Sequence, residues 1–492
     1  MKIAYIAGEV VPFAKTGGLA DVAGALPIAL QNLGCEVKVF MPKYYSIDEK
    51  RYNLEYLSNI GEIKIRAGGF PHAVHFYKGF LPNSSVEIYF IDYPNFFHRH
   101  KLYTNDYDED LRFILFQKAV IELTQHLKWV PDIFHCNDWQ SALIPLLVKD
   151  NYKWDKLFDK TAFLFTIHNI GYQGKFSHGT LFNAEIDKKY YYPGGPVEFE
   201  DGVNFMKAGI EFSDIISTVS ETYARELLTV EYGHGLNNVL WQKREDLFGI
   251  VNGVDYTLWN PVTDKSIAAN YSTNDFSGKY INKEVLLKYF NLPYNPDVPV
   301  IGIISRLAIQ KGFDILSEAM GELIKLNAQW IILGSGEHKY EDMFRSLAYY
   351  HPHKVGVYFG YNNDLSHLIE AGSDIFLMPS HYEPCGLNQI YSLKYGTVPV
   401  VRKTGGLADT VHDWNEHSFY GLDNGNGFSF NDYTGFALLT SVQRALTLFN
   451  DKNIWRKIQI NGMNEEYSWK NAAEKYIGLY QKASKKRSLV NF

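Results

Sequence analysis

The heptapeptide Lys15-Thr16-Gly17-Gly18-Leu19-Ala20-Asp21 recurs letter for letter as Lys403-Thr404-Gly405-Gly406-Leu407-Ala408-Asp409. Each copy lies between an apolar segment and the start of an amphipathic stretch, where a strand hands over to a helix. At such a turn the free backbone N–H groups and the positive helix end favour an anion. The same turn near both ends of the chain predicts two α/β halves, and two facing Rossmann-like halves would bring both loops to one cleft. The alternative is that two glycine-rich turns merely share turn chemistry, each aspartate pairing locally.

The sequence between the copies keeps that rhythm. Short apolar runs, each followed by a Gly- or Asp-containing turn and an amphipathic stretch, are the pattern of a parallel sheet. Residues 3–7 read as a strand, 19–33 as a helix closed by Gly34, and 37–41 as the next strand, a βαβ unit. Further strands are predicted at 86–91, 133–135, 163–167 and 215–219, with a helix over 111–128. A polar, Asn-, Pro- and Asp-rich stretch at 252–274 interrupts the alternation, which resumes at 298–305, 330–333, 355–359, 374–378 and 398–401. The expected fold class is α/β, with two Rossmann-like, doubly wound parallel-sheet domains facing a central cleft. Residues 1–255 form the first domain and 256–470 the second, and 471–492 is a closing helix that packs back on the first.

Composition narrows the function classes. With 46% hydrophobic and 21% charged residues, the 492-residue chain has an ordinary globular balance, which excludes a disordered or fibrous protein. A formal charge of −7 is too acidic for a protein that wraps nucleic acid or coats an anionic membrane, although local phosphate pockets stay open to it. Cys35, Cys136 and Cys385 are too few and too scattered for a disulfide framework or a structural zinc, which fits a reducing, cytoplasmic location. The first apolar stretch ends at Gly8-Glu9, short of a signal-peptide core, and no later run approaches a membrane span. Aromatic residues reach 15%; rings with polar tips suit cores, but also sugar and nucleotide faces.

Several residues sit where an open α/β sheet binds ligands, at the carboxyl ends of strands. Gly17 and Gly18 let a ligand approach the backbone, Lys15 adds a positive charge, and Asp21 accepts from a hydroxyl or orients the lysine. The spacing is neither that of a Walker loop nor that of a dinucleotide fingerprint, which disfavours an ATPase or an NAD enzyme. Arg306 and Lys311, around the turn after the strand at 298–305, suit a diphosphate. Glu383 precedes a helix whose N–H groups from Cys385, Gly386 and Leu387 hold phosphate or sugar oxygens, while its carboxylate accepts from sugar or ribose hydroxyls. Cys385 itself reads as a packed thiol. His168 and Asp138 each follow a strand, and both are equally readable as satisfied polar groups. The run at 106–110, Asp-Tyr-Asp-Glu-Asp, contains a D-x-D pair that could hold a divalent metal but reads as a solvated acidic cap on the following helix.

At the 15–22 loop, at Glu383-Pro384-Cys385-Gly386-Leu387 through Tyr395-Gly396-Thr397 and at the second copy of the heptapeptide, the chain resembles the bacterial-type glycogen synthase and starch synthase family. Intermediate landmarks agree, and the resemblance runs in order along essentially the whole chain. It implies a GT-B architecture and retaining transfer of glucose from ADP-glucose to the non-reducing end of an α-1,4-glucan, such as glycogen. No cofactor or metal is implied, and no nucleic-acid or membrane partner. Glu383, His168, Arg306, Lys311 and Asp138 are the implied catalytic set. Arg306 and Lys311 would neutralise the diphosphate, Glu383 would hold donor hydroxyls, and His168 would bind the sugar with its carbonyl near the anomeric carbon. Lys15, Gly17 and Gly18 would contact phosphate or glucose, Tyr361 would stack on the nucleobase, and Asp21, Asp138 and Asn252 would line the cleft. Closure of the cleft is the implied conformational step. Tyr391 stands where many retaining GT-B enzymes carry a second glutamate, and Asn388 where some bacterial members have threonine. A UDP-glucose-dependent GT-B transferase and a silent glucan-binding homologue are the alternatives.

Overall fold

A computed structural model describes residues 1–490, so the last two residues of the closing segment expected over 471–492 lie outside the described residues. The chain forms two compact units: Met1–Val219 with Ala224–Gly253 and Trp469–Phe492, and Ser220–Tyr223 with Val254–Ser468.

The strands of the first unit are β1 (Lys2–Ile6), β2 (Glu36–Pro42), β3 (Glu55–Tyr56), β4 (Ile63–Ala67), β5 (Phe70–Phe80), β6 (Glu87–Asp92), β7 (Ile133–Asn137), β8 (Ala162–Ile167), β9 (Lys175–Phe176), β10 (Glu198–Phe199), β11 (Gly202–Asn204), β12 (Ile215–Thr218) and β13 (Leu247–Gly249). Its ten-stranded sheet runs β13-β12-β8-β7-β1-β2-β6-β5-β3, with β4 paired to β5. From β13 to β6 every pairing is parallel. These strands are continuous apolar runs because both faces are covered, and Ile3 to Ile6 of β1 are fully buried. Chain order reverses at β1, which has β2 on one side and β7 on the other. The crevice outside the carboxyl ends at such a switch point is the binding position of a doubly wound sheet.

The unit is not purely doubly wound, as the sequence reading had it. Strands β3, β4 and β5 extend the sheet antiparallel, and β10-β11-β9 form a separate small antiparallel sheet. Gly68 and Gly69, with φ of 60° and 80°, make the two-residue turn between β4 and β5, a hairpin that demands positive φ at both positions. The acidic run at 106–110 also differs from expectation. Arg99 bridges Asp106 and Asp108 at 2.8 and 2.5 Å, Arg112 pairs with Glu109, and Asp110 accepts from Thr180 Oγ1 and Asn183 Nδ2. Glu109 and Asp110 are buried while Asp106 stays exposed, so the run is a set of ion pairs and hydrogen bonds that is solvated only at its start. The last helix, Trp469–Val490, packs on the helix Gly18–Asn32 and on β8. Tyr480 of that helix shares a 2.8 Å hydrogen bond with Nδ1 of the fully buried His135 on β7.

The second unit carries β14 (Val300–Ile304), β15 (Gln329–Leu333), β16 (Val355–Tyr358), β17 (Ile375–Met378), β18 (Val398–Arg402) and β19 (Phe428–Phe430). They form one parallel sheet in the order β16-β15-β14-β17-β18-β19, and chain order reverses at β14. Trp330, Ile332, Phe344 and Ile458 are among the fully buried residues of its main core. In the polar stretch that precedes the sheet, Trp259 stacks between His367 and Tyr391 with centroids at 3.8 and 3.9 Å. Among the described residues, no helix is long and apolar enough to cross a membrane.

Candidate active site

In the first unit three strand ends converge on the switch point: β1, β7 and β8. After β1, the buried Glu9 turns its carboxylate onto the heptapeptide loop, where Oε2 accepts from the backbone N–H of Thr16 and, at 2.8 Å, from its hydroxyl. Burial raises the carboxyl's pKa above the ordinary glutamate value. Lys15 Nζ meets Asp21 Oδ1 at 2.7 Å, one turn into the helix Gly18–Asn32. Gly17 is extended, and a Cβ placed on Gly18 would meet nothing within 4 Å. The protein's own packing therefore does not require glycine at position 18; the space beside that backbone is open.

Asp138 follows β7 with φ of 54°, a conformation a non-glycine residue holds only when its surroundings impose it. Its Oδ1 accepts from the backbone N–H of His168 at 2.7 Å, and burial lifts the carboxyl to about 7. His168, after β8, is buried and its imidazole is held neutral, with the pKa lowered to about 3 by desolvation. Its Nε2 lies 2.9 Å from Asn137 Oδ1. Asn137 donates through Nδ2 to Ile6 O at 3.0 Å and its Oδ1 also receives the Tyr5 hydroxyl, so the amide oxygen is an acceptor and Nε2 must carry the proton. Nδ1 is left as the ring's acceptor. Asn252 is buried with an Oδ1 that has no hydrogen-bond partner among the described residues, an unmet acceptor in a folded protein.

In the second unit the loops after β14 and β17 flank the switch point. Arg306 is exposed and has no ion-pair or hydrogen-bond partner for its guanidinium among the described residues. Lys311 Nζ sits 2.5 Å from Glu383 Oε2, and Ser380 Oγ donates to the same oxygen at 3.1 Å. The two side chains, read independently from the sequence, are thus one ion pair, with Glu383 buried and Lys311 half-buried. The two loops run against each other: Gly312 has φ of 78°, and a Cβ there would stand 2.0 Å from Pro379 O.

The second heptapeptide is used differently from the first. Gly405 has φ of 45°, and a Cβ on it would lie 2.0 Å from Glu383 O; one on Gly406 would lie 2.0 Å from Cys385 O. Gly406 N also donates to Glu383 O at 3.1 Å. These glycines let one backbone lie directly against the Glu383 segment. Asp409 accepts from Thr222 N at 3.0 Å and Thr222 Oγ1 at 2.5 Å, while Lys403 pairs with Glu416 at 2.9 Å.

The helix after Glu383 begins later than the sequence suggested. It spans Asn388–Lys394, so Cys385, Gly386 and Leu387 form the loop before it, with Gly386 at φ of 70° and Cys385 buried. Two residues that sequence reading passed over or left open hold this loop. Gln389 Nε2 donates to Cys385 O, Gly386 O and Thr410 Oγ1, and Asn388 Nδ2 donates to Ile304 O at the end of β14. Tyr391, in place of a second glutamate, supplies the flat face that stacks on Trp259. Tyr361, on the loop after β16, is 86% exposed. Glu9, Asn137 and Gln389 are the supporting residues that no motif marked; a buried carboxylate or amide declares itself only once its partners are folded around it.

Residues 2–242 match the family model described as the starch synthase catalytic domain, and residues 288–457 the model of glycosyl transferases group 1. The chain is 43% identical to a glycogen synthase of Desulforudis audaxviator, covering 99% of this chain and 97% of that one. It is 45% identical to a glycogen synthase of Koribacter versatilis, covering 99% of each. The solved catalytic domain of starch synthase IV from Arabidopsis thaliana, bound to ADP and acarbose, superposes with a TM-score of 0.89 at 33% identity, covering 98% of this chain and 99% of that one.

Proposed function

The chain belongs to the family of glycogen and starch synthases and has its GT-B fold of two Rossmann-like units, and from that premise we propose that it transfers glucose from ADP-glucose to the non-reducing end of an α-1,4-glucan with retention of configuration. The observation that carries this reading is the Lys311–Glu383 pair, with an Arg306 that has no partner among the described residues, on the loops at the carboxyl ends of β14 and β17. A starch synthase relative with the same fold holds ADP and acarbose, which supports a nucleotide donor and a saccharide acceptor.

In the proposed reaction Arg306 and Lys311 neutralise charge that grows on the departing diphosphate, and Glu383 accepts from donor hydroxyls. Substrate phosphate competes with Glu383 for Lys311, so the lysine is held in place before the donor arrives rather than ordered by it. His168, kept neutral, offers a hydrogen-bonding ring and a backbone carbonyl to the sugar. A neutral imidazole adds no positive charge beside an oxocarbenium-like carbon. The departing phosphate takes the acceptor's proton on the same face, so the chain needs no second carboxylate, in contrast to a glycoside hydrolase. Lys15 and the open backbone at Gly17 and Gly18 contact donor phosphate or glucose, with Glu9 holding that loop in position. Asp21 orients Lys15, Asn252 uses its unmet oxygen on a substrate hydroxyl, and Tyr361 stacks on the nucleobase.

We further propose that the reaction needs no metal. The carboxylates of the D-x-D run are engaged by Arg99, Arg112, Thr180 and Asn183, which supports that reading. Three buried cysteines that form no disulfide support a reducing, cytoplasmic setting. The deciding experiment is incorporation of labelled glucose into glycogen from ADP-glucose and UDP-glucose in parallel, with and without EDTA. Incorporation from ADP-glucose that survives EDTA is expected. No incorporation from either donor overturns the reading, and preference for UDP-glucose overturns the donor assignment.

A further inference from the structure

Away from the Arg306 and Glu383 loops, the second unit contains a cavity of about 380 Å³ between the helices Ser277–Tyr289 and Lys452–Met463. Its size lies in the range of small-molecule sites, and it is far larger than one inorganic anion requires. Phe276, Tyr280, Tyr294, Phe449 and Trp455 give it a largely aromatic wall.

The charges in that wall are unusual for a chain of net charge −7. Four cationic side chains, Lys279, Lys283, Lys452 and Arg456, line it against only two carboxylates, Asp297 and Asp374. Two of the four have structural duties. Lys283 pairs with Asp374 at 2.8 Å, and Lys279 donates to Ala371 O, Tyr395 O and Thr397 Oγ1. Of the other two, Arg456 is held in place without an acidic partner among the described residues, and Lys452 is only loosely paired. The Arg456 guanidinium lies 3.4 Å from the ring centroid of Phe276 and donates once, to Tyr280 Oη at 3.0 Å. No carboxylate lies within ion-pair distance of it among the described residues. Lys452 Nζ stands 3.6 Å from the centroid of Phe449 and only loosely, at 3.8 Å, from Asp297, which is itself 81% exposed along its side chain.

An arginine stacked on an aromatic face keeps its remaining donors pointed in a fixed fork, the geometry that takes two oxygens of one phosphate or carboxylate. A phosphate monoester carries a charge of roughly −1.5 to −2 at neutral pH, which two such cations balance where a carboxylate would leave one over. We infer that this cavity binds a small organic phosphate monoester, its phosphate held by Arg456 and Lys452 and its flat or apolar body seated on the aromatic wall. The site is separate from the residues assigned to glucose transfer and does not depend on that assignment.

Phenyl phosphate tests both parts of the recognition, with phenol and inorganic phosphate as its two halves. Calorimetric titration of the full chain is expected to show one site for phenyl phosphate in the wild type and in Arg306→Gln, with affinity weakened about tenfold or more in Arg456→Gln and in Lys452→Gln. Phenol and inorganic phosphate should each bind more weakly than the whole probe. Thermal melts of the two cavity variants identify any loss of folding; Lys452, at the surface, carries the test alone if Arg456→Gln melts early. Absence of binding at about 10 mM probe overturns the inference. So does binding that Arg306→Gln abolishes while Arg456→Gln and Lys452→Gln leave it intact, which would place the probe on the catalytic loops instead.

Discussion

The identical heptapeptides should respond oppositely to the same substitution. Gly18→Ala adds a methyl where nothing lies within 4 Å, at the first residue of a helix and away from positive φ. Restricting the unfolded chain there should stabilise the protein by about 0.4–1 kcal/mol. Gly405→Ala places the methyl 2.0 Å from Glu383 O, against an ordinary contact of 3.4 Å, at φ of 45°. Left-handed backbone costs an L-residue about 1–2 kcal/mol, and forcing apart two packed loops adds about 1–3. After the same unfolded-state gain, a net loss of about 1–4 kcal/mol is expected for Gly405→Ala; because that gain is common to both, the two variants should differ by about 2–5 kcal/mol. Urea unfolding, followed alongside glucose incorporation, separates the effects. Gly18→Ala should fold at least as well as wild type yet lose about tenfold or more in kcat/KM, because its methyl fills space assigned to substrate. Equal stabilities for the two variants, or full activity in Gly18→Ala, would refute the distinction.

Two further outcomes follow from the buried charges. Lys311→Met leaves Glu383 buried with Ser380 as its remaining side-chain donor; a loss of about 2–4 kcal/mol is expected, most of it recovered in Lys311→Met/Glu383→Gln while activity stays about a hundredfold or more down. Urea unfolding and kinetics of the three proteins check it, and recovery of activity in the double variant would count against the assigned roles. Asp138, lifted to about 7 by burial, ionises near 4 in the unfolded chain, so its contribution to stability is fully present below about pH 4 and is lost as pH rises toward 7. Asp138→Asn keeps an acceptor for the His168 N–H and removes that titration; the stability of wild type relative to the variant should fall between pH 4 and 7, and a flat difference contradicts the burial argument.

Most parallel strands were legible because each is an apolar run between turn residues; β1, β2 and β15 fall within one or two residues of their expected positions, whereas the short edge strands β13 and β19 were not anticipated. The order of those strands was not legible, since pairing is decided by tertiary contacts. Nor was the antiparallel edge, although Gly68-Gly69 carried its turn signal in plain view. Arg306, Lys311, Glu383, His168 and Asp138 were selected as candidates because ligand sites in such sheets lie at strand carboxyl ends, a rule that needs only strand positions. Their partners were not. Glu9 lies seven residues from Thr16 and Gln389 twenty-one from Thr410, and no local pattern connects them. The heptapeptide shows the limit most sharply: the same seven letters leave open space in one copy and fill it with Glu383 and Cys385 in the other, because the difference lies in what passes alongside.

The junctions at 253–254 and 468–469 have a consequence for the chain's topology. Val254 N donates to Tyr467 O at 2.7 Å and bridges Ser468 in parallel, while Gly253 lies so close to Trp469 that a Cβ would stand 2.5 Å from its Cα. The outgoing and returning segments are therefore neighbours on both sides of the junction. Residues 254–468 form an insert whose ends already meet, and the host sequence likewise comes back to the point it left. The insert is a nearly closed ring opened at one spot, so it could be circularly permuted, or exchanged for another of its kind, and the host rejoined across the gap, with a splice of only a few residues.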